Sequence, residues 1–183
     1  MTLDAKRLTN WRYWRCAMDS DPTHFGRFRD LVAAWQSKWN PQNGGPGRRD
    51  FDFFEFRGWW GKVSIARIES DPFDVRFVLW GTRLVDWWGV DYTNKRLGEE
   101  SITPEAWTMI EGRYFQDMYN DPFIGVVCGY LDQYQRPHLK VLGVDLPLFE
   151  NGRLSHVLSI HMEILLDEEP EDILTGLPMT EYL

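Results

Sequence analysis

The sequence predicts an α+β domain built on an antiparallel sheet, and three observations support that class. Apolar residues recur at helical spacing before position 40 and again after position 103. Other runs are rich in β-branched and aromatic residues and are bounded by turn residues, which is typical of strands. The last two of these runs flank Asn151-Gly152, and Asn-Gly is the strongest short signal for a two-residue β-hairpin.

The composition favours one soluble domain that binds neither nucleic acid nor a membrane. A chain of 183 residues can bury a substantial core, and its net charge of −8 argues against nucleic acid as a partner. No apolar run approaches the roughly 20 residues that span a bilayer. Since Cys16 and Cys128 form no disulfide framework, we expect a reduced, cytoplasmic location. The ten tryptophans predict a core rich in aromatic rings.

Charge is distributed unevenly between the two ends of the chain. Residues 167–183 contain acids and prolines but no lysine or arginine, so we expect an acidic, flexible tail there. The first residues are basic, with Lys6, Arg7, Arg12 and Arg15. The two ends either attract each other or are both solvated.

Residues 1–40 are predicted to form a helical extension. Residues 3–18 have the apolar spacing of a short helix, and Asp21 with Pro22 supplies the start of a second one. That second helix carries apolar residues at spacings of three, four, three and four, the pattern of helix-to-helix packing. These residues are Phe25, Phe28, Val32, Trp35 and Trp39. They either pack on the helix's own domain or form a homodimer contact.

Strands and one further helix are predicted after this extension. The predicted strands cover residues 62–68, 75–80, 125–131, 137–149 and 154–165. The helix opens at Thr103-Pro104-Glu105 and stops at Asn120-Asp121-Pro122.

The predicted hairpin fixes a register between the last two strands. With Asn151 and Gly152 as the turn, Val141 pairs with Met162 and Asp145 with Leu158. Asp145 then lies diagonal to His156, which allows a hydrogen-bonded pair. That pair is either a polar contact at a sheet end or the acid–base centre of a small enzyme with an α+β pocket.

The segment 77–97 resembles a PAS domain, a sensory module. It reads as a strand, a break at Gly81-Thr82, a short helix stopped by Gly89, and a loop closing on Leu97. The likeness is to the PAS-like family of many alphaproteobacterial proteins, in which a strand runs into "GT-L" and then "G-D-TG+-L". Asn94 replaces the second glycine of this pattern, and asparagine tolerates the left-handed backbone nearly as well.

An upstream motif extends the resemblance to about residues 25–165. The run Arg48-Arg49-Asp50-Phe51-Asp52 is similar to the family's "P-R-DFDP", with Phe53 where proline is usual. The resemblance implies a PAS-like domain over 41–166, with a five-stranded antiparallel sheet and short helices on one face. It also implies a non-enzymatic module of signal transduction that binds a small ligand, a protein partner or a second copy.

The resemblance further implies a cavity between the sheet and the helices that takes a small apolar or aromatic ligand. The pattern predicts that eight side chains face this cavity: Phe77, Leu79, Trp88, Met109, Tyr114, Cys128, Leu158 and Met162. A ligandless adaptor acting through the tryptophan-rich helix is the alternative.

No motif for haem, flavin or metal accompanies this pattern. The helix from Pro104 lacks the histidine that haem-binding PAS domains usually supply and the Asn-Cys-Arg-Phe type motif of flavin photoreceptors. The four histidines lack metal-ligand spacing on a helix. We therefore expect no metal site and leave the cofactor unknown.

Overall fold

The computed structural model describes residues 10–101 and 104–182, and its centre is a seven-stranded antiparallel sheet. The strands are β1 (Arg12–Cys16), β2 (Val63–Ser70), β3 (Phe73–Trp80), β4 (Ile124–Leu131), β5 (Arg136–Glu150), β6 (Arg153–Ile164) and β7 (Thr180–Glu181). They lie in the order β3-β2-β6-β5-β4-β1-β7. The α+β class and the antiparallel sheet are therefore confirmed, with two strands more than expected.

Helices cover both faces of this sheet rather than one. They are α1 (Arg29–Ser37), α2 (Thr82–Trp88), α3 (Pro104–Ala106), α4 (Gly112–Asn120) and α5 (Pro170–Ile173), with a 3-10 helix at Pro22–Phe28 and a π-helical turn at Trp107–Glu111. Short 3-10 turns occur at Arg48–Asp50, Phe53–Phe56 and Asp132–Tyr134. Helices α2 and α4 pack on the sheet face that includes Tyr13 and Val127, called here the α4 face. Helix α1 packs on the opposite face, with Trp14 and Val126, called the α1 face.

None of the helices in the described ranges is both long and apolar enough to cross a lipid bilayer.

The helix predicted over residues 3–18 is wrong for its described part. Residues 12–16 form β1, which pairs with β4 from Arg12 opposite Cys128 to Cys16 opposite Ile124. Tyr13 and Trp14 are both buried, one on each face, because helices cover both sides of the sheet. A strand buried on both faces lacks the alternation that identifies strands, so its apolar spacing imitates a helix. Residues 3–9 lie outside the described ranges.

Four of the five proposed dimer residues belong to the protein's own core. Phe25, Phe28, Val32 and Trp35 are 0% exposed and pack on the α1 face. The Trp35 indole also donates a hydrogen bond to the Pro147 carbonyl oxygen at 2.8 Å. Only Trp39 remains exposed, at 47%. A dimer contact through the other four would require α1 and the preceding 3-10 helix to leave the sheet.

The Asn-Gly hairpin is present, but its register differs from the predicted one by one residue. Asn151 and Gly152 have φ of 53° and 78°, and Glu150 pairs with Arg153 as expected. Next to the turn, Leu154 pairs with Phe149 and His156 with Leu148, so Ser155 is an extra residue in a β-bulge. Its hydroxyl donates to the Leu148 carbonyl oxygen at 3.3 Å.

This bulge exchanges the faces of every β6 side chain beyond it. Asp145 pairs with Ser159 rather than Leu158, and Met162 pairs with Leu142 rather than Val141. Since the side-chain period of a strand is two, a slip of one residue moves each side chain to the other face. Leu158 and Met162 therefore pack on the α1 face.

A second bulge separates two residues that the sequence placed on one face. Ala66 pairs with Phe77 but Ile65 pairs with Leu79, so Val78 is the extra residue in β3. Phe77 packs on the α4 face, while Leu79 lies on the other side with 43% of its surface exposed.

The predicted flexible tail is anchored to the domain by buried leucines and by a short strand. Leu174 and Leu177 are buried against the α1 face, and β7 pairs with β1. Arg12 forms ion pairs with Glu169, Glu171 and Glu181. The structure thus supports attraction between the charged ends rather than two solvated ends. Residues 41–166 do not form a separate domain, because they share one sheet and one core with both flanking segments.

We predict that Leu174→Ala lowers the free energy of unfolding by about 2–5 kcal/mol, because it removes a side chain that is 1% exposed. Urea denaturation measures this loss. The control Leu166→Ala alters a leucine that is 50% exposed and should cost less than about 1 kcal/mol. Equal losses in the two variants would mean that the tail is loosely attached.

Candidate functional site

A cavity of about 60 Å³ lies between the α4 face and the helices that cover it. By the usual measure it has room for roughly four waters, or for one molecule of about that many non-hydrogen atoms. Its wall contains Leu97, Gly98, Val127, five polar residues (Ser64, Glu111, Asp145, Ser159, His161) and ten aromatic ones (Trp11, Tyr13, Phe77, Trp80, Trp88, Tyr92, Trp107, Tyr114, Phe115, Tyr134). Within the part of the chain that the structure describes, no lysine or arginine lines it.

The π-helical turn carries two of these residues into the wall. Trp107 and Glu111 are its first and last residues, and both line the cavity. Turns of this kind widen a helix locally and occur often at functional sites. Gly98 allows the approach of Trp107, since a β-carbon at position 98 would lie 2.5 Å from the Trp107 side chain.

Glu111 holds one of two desolvated carboxyl groups in the cavity. Its Oε1 accepts a hydrogen bond of 2.6 Å from the Tyr13 hydroxyl. The residue as a whole is only partly buried, but its carboxyl group faces the cavity. Desolvation by burial raises the pKa of Glu111 to about 8; the Tyr13 hydrogen bond opposes this shift and the nearby Asp145 charge adds to it.

Asp145 holds the second carboxyl group, on the central strand β5. It accepts hydrogen bonds from the Tyr114 hydroxyl at 2.9 Å and from the Ser159 hydroxyl at 2.5 Å. Gly125 opposite Asp145 makes the first of these feasible, because a β-carbon there would lie 1.6 Å from the Tyr114 hydroxyl oxygen. Burial raises the pKa of Asp145 to about 6, although both hydrogen bonds oppose the shift.

Four further residues of the cavity wall each hold a buried polar atom without a hydrogen-bond partner in residues 10–101 and 104–182. The atoms are Ser64 Oγ, Trp80 Nε1, Trp107 Nε1 and His161 Nδ1, and each of these residues is at least nine-tenths buried. Burial lowers the pKa of His161 to about 4, so its ring is neutral at pH 7. An unsatisfied buried polar group costs about 1–3 kcal/mol. The cavity wall therefore retains hydrogen-bonding capacity that the described residues do not use.

Aromatic side chains hold much of the wall in place. Trp80 meets Trp88 edge to face with ring centroids 5.4 Å apart, and Phe77 meets Trp80 similarly at 4.8 Å. The Tyr92 and Tyr134 hydroxyls are hydrogen-bonded at 2.8 Å. Edge-to-face pairs restrict ring motion, which preforms the wall.

The structure places three of the eight expected pocket residues at the cavity: Phe77, Trp88 and Tyr114. The others lie elsewhere. Leu79 and Leu158 line an apolar groove on the α1 face, Cys128 and Met162 belong to the core of that face, and Met109 is 44% exposed. The two bulges account for Leu79, Leu158 and Met162, since each shifts a strand's side chains by one position.

Two polar cavity residues had a signal in the sequence. Asp145 interrupts an apolar run in β5, and Glu111 lies within the apolar stripe formed by Trp107, Ile110 and Tyr114. A charged residue on a core-facing position is rare unless it is paired or functional. No comparable feature of the sequence indicated that Ser64 and His161 would line the cavity.

The structure does not bring Asp145 and His156 together. Asp145 faces the cavity, whereas His156 pairs with Leu148 and lies on the α1 side of the sheet, near Arg48. His156 Nδ1 is instead 3.0 Å from Ser155 Oγ. The acid–base centre proposed from the sequence is therefore not formed. No group of three or more His, Cys, Asp and Glu side chains in the described ranges is arranged to hold a metal ion.

We predict that the free energy of unfolding falls by up to about 2 kcal/mol between pH 6.5 and pH 8. The folded Glu111 keeps its proton up to about pH 8, while its unfolded form loses it near 4.5, so deprotonation disfavours the folded state. His161 has the opposite effect, a rise in stability with pH that is nearly complete by its unfolded value of 6.5. Asp145 acts in the same direction as Glu111, but its effect ends near pH 6.

Urea titrations across this interval test the assignment. Glu111→Gln should remove most of the fall, whereas Glu105→Gln, which alters an exposed acid of the same helical segment, should preserve it. An unchanged slope in Glu111→Gln would show that Glu111 is ionised in the folded protein.

A comparison with protein-family models, curated proteins and solved structures found no match to this chain.

Proposed function

We propose that the protein is a non-enzymatic sensory or regulatory module that binds a small ligand in the cavity beneath α4. The observation that carries the proposal is the hydrogen-bonding capacity left unused in the cavity wall. Within the described ranges, four buried polar atoms of the wall residues lack partners, and two desolvated carboxyl groups belong to the same wall. A buried polar group normally has a hydrogen-bond partner. A small polar ligand in the cavity would supply partners for these atoms and carboxyl groups together.

The order of elements supports a PAS-type module as part of this proposal. From Val63 to Ile164 the chain runs through two strands, helices and three more strands, all within one antiparallel sheet. The helices between β3 and β4 cover the cavity, as the family resemblance implies. Fold-level likeness does not itself establish function, so the cavity chemistry remains the principal argument.

A route from the cavity to the sheet edge supports the signalling part of the proposal. Tyr13 in the cavity wall accepts a backbone hydrogen bond of 2.7 Å from Tyr182 through its carbonyl oxygen. Tyr182 also packs against Tyr114 and hydrogen-bonds Asp117 of α4. A ligand that moves Tyr13 or Tyr114 would therefore act on β7 at the surface. There we place the contact with a protein partner or a second copy, in the cytoplasm.

We predict that native mass spectrometry of the purified protein detects a bound small molecule that is released on unfolding. Val127→Phe should abolish this added mass, because it enlarges a side chain of the cavity wall. Val85→Phe is the matched control, since Val85 packs on the same core cluster but does not line the cavity. It should retain the ligand.

A bare protein mass for the wild type, before and after incubation with small amines, amides and alcohols, would overturn the ligand-binding proposal. A ligand retained equally by Val127→Phe and the wild type would place the binding site elsewhere.

A further inference from the structure

We infer that the ligand of this cavity is a short amino alcohol, a small organic ammonium ion that also carries a hydroxyl group. The inference rests on the proposed ligand-binding function and adds the chemical class of the ligand. It combines the charge of the wall, its aromatic rings, its unpaired donors and its volume.

The charge of the wall favours a cation. Glu111 and Asp145 bring two carboxyl groups into one desolvated space, and no basic side chain in the described residues lines it with them. Their hydrogen bonds come from the neutral hydroxyls of Tyr13, Tyr114 and Ser159. A buried carboxylate is costly without a cation nearby, so an ammonium group would supply the missing countercharge.

The aromatic rings favour an organic ammonium over a bare metal ion. Trp80, Trp88 and Trp107 all contribute to the wall, and indole is the best aromatic partner for a cation. A metal ion would instead require several oxygen or nitrogen ligands close together, and three such acidic or histidine side chains are not clustered in residues 10–101 and 104–182.

The unpaired donors require an acceptor on the ligand. The indole N–H groups of Trp80 and Trp107 can only donate, and an ammonium group has no lone pair to offer them. A carboxylate on the ligand would accept from them but would be repelled by the ionised Asp145, and by Glu111 where that group loses its proton near pH 8. A hydroxyl oxygen accepts without adding negative charge, and it can also pair with Ser64.

The volume limits the ligand to a very short chain. A cavity of about 60 Å³ admits a molecule the size of ethanolamine or its N-methyl derivative. Longer amino alcohols would have to displace partly buried residues of the wall, such as Leu97 or Tyr134.

Isothermal titration of the wild-type protein with three ligands of equal non-hydrogen atom count separates the two recognition groups. Ethanolamine carries both groups, propylamine lacks the hydroxyl, and propan-1-ol lacks the charge. We expect ethanolamine to bind about tenfold more tightly than propylamine and at least about tenfold more tightly than propan-1-ol.

Isosteric variants test the two carboxyl groups. At pH 8, where both carboxyl groups can ionise, Glu111→Gln and Asp145→Asn should each weaken ethanolamine binding by about tenfold or more while leaving propan-1-ol binding nearly unchanged. Glu105→Gln and Asp86→Asn alter exposed acids of α3 and α2 and serve as controls. Circular dichroism and urea midpoints verify that each variant is folded.

Affinity for ethanolamine should increase by about tenfold from about pH 5.5 to about pH 8, since the amine is protonated at both values while the carboxyl groups ionise. The other titratable groups at the cavity are Tyr13, Tyr92, Tyr114, Tyr134 and His161. The raised pKa values of these tyrosines and the lowered one of His161 keep all five neutral across this interval.

Each discordant result has a defined meaning. Equal binding of propan-1-ol and ethanolamine overturns the cation, and equal binding of propylamine overturns the hydroxyl; in both cases the cavity remains a ligand site. Failure of all three ligands to bind overturns the inference, while the mass spectrometric experiment decides the proposed function separately.

Discussion

The register between β5 and β6 is the constraint on which the rest of the molecule depends. One extra residue, Ser155, shifts the pairing so that Asp145 lies opposite Ser159. That shift puts Ser159 and His161 on the α4 face with Asp145 of β5, and it leaves an apolar surface of β6 for α1 on the other face. Without the bulge, the polar residues of β6 would meet the apolar side of α1, at a desolvation cost that hydrogen bonding there would not offset.

The cavity is maintained at the expense of stability. Among the described residues, two carboxyl groups have no basic partner and four polar atoms of the cavity wall are unsatisfied, where apolar side chains could fill the space. The surrounding aromatic contacts and the Tyr13 and Tyr114 hydrogen bonds hold this arrangement open. Proteins commonly retain such local destabilisation where a site must recognise a ligand.

The sequence predicted the features that depend on local chemistry. The Asn151-Gly152 turn, the helix stop at Gly89 and the antiparallel α+β class follow from backbone preferences and spacing, and the structure has all three. It could not reveal the bulges at Val78 and Ser155, because an extra residue in a strand carries no pattern of its own. The pocket residues that follow these bulges were therefore assigned to the wrong face of the sheet. The prediction for β1 failed for another reason: both faces of this strand are covered, so its sequence resembles that of a helix.

Within the described residues, neither edge of the sheet presents a long unpaired strand. At one edge, residues 94–97 bond to the outer side of β3: the Phe77 amide donates to the Lys95 carbonyl, and Leu97 donates to Val75. At the other edge, β7 offers only two residues, Thr180 and Glu181. An edge this short or already paired gives another chain little to extend. Contact with other proteins would thus be made through side chains rather than by strand addition, and the folded protein should resist growth into sheet-linked polymers.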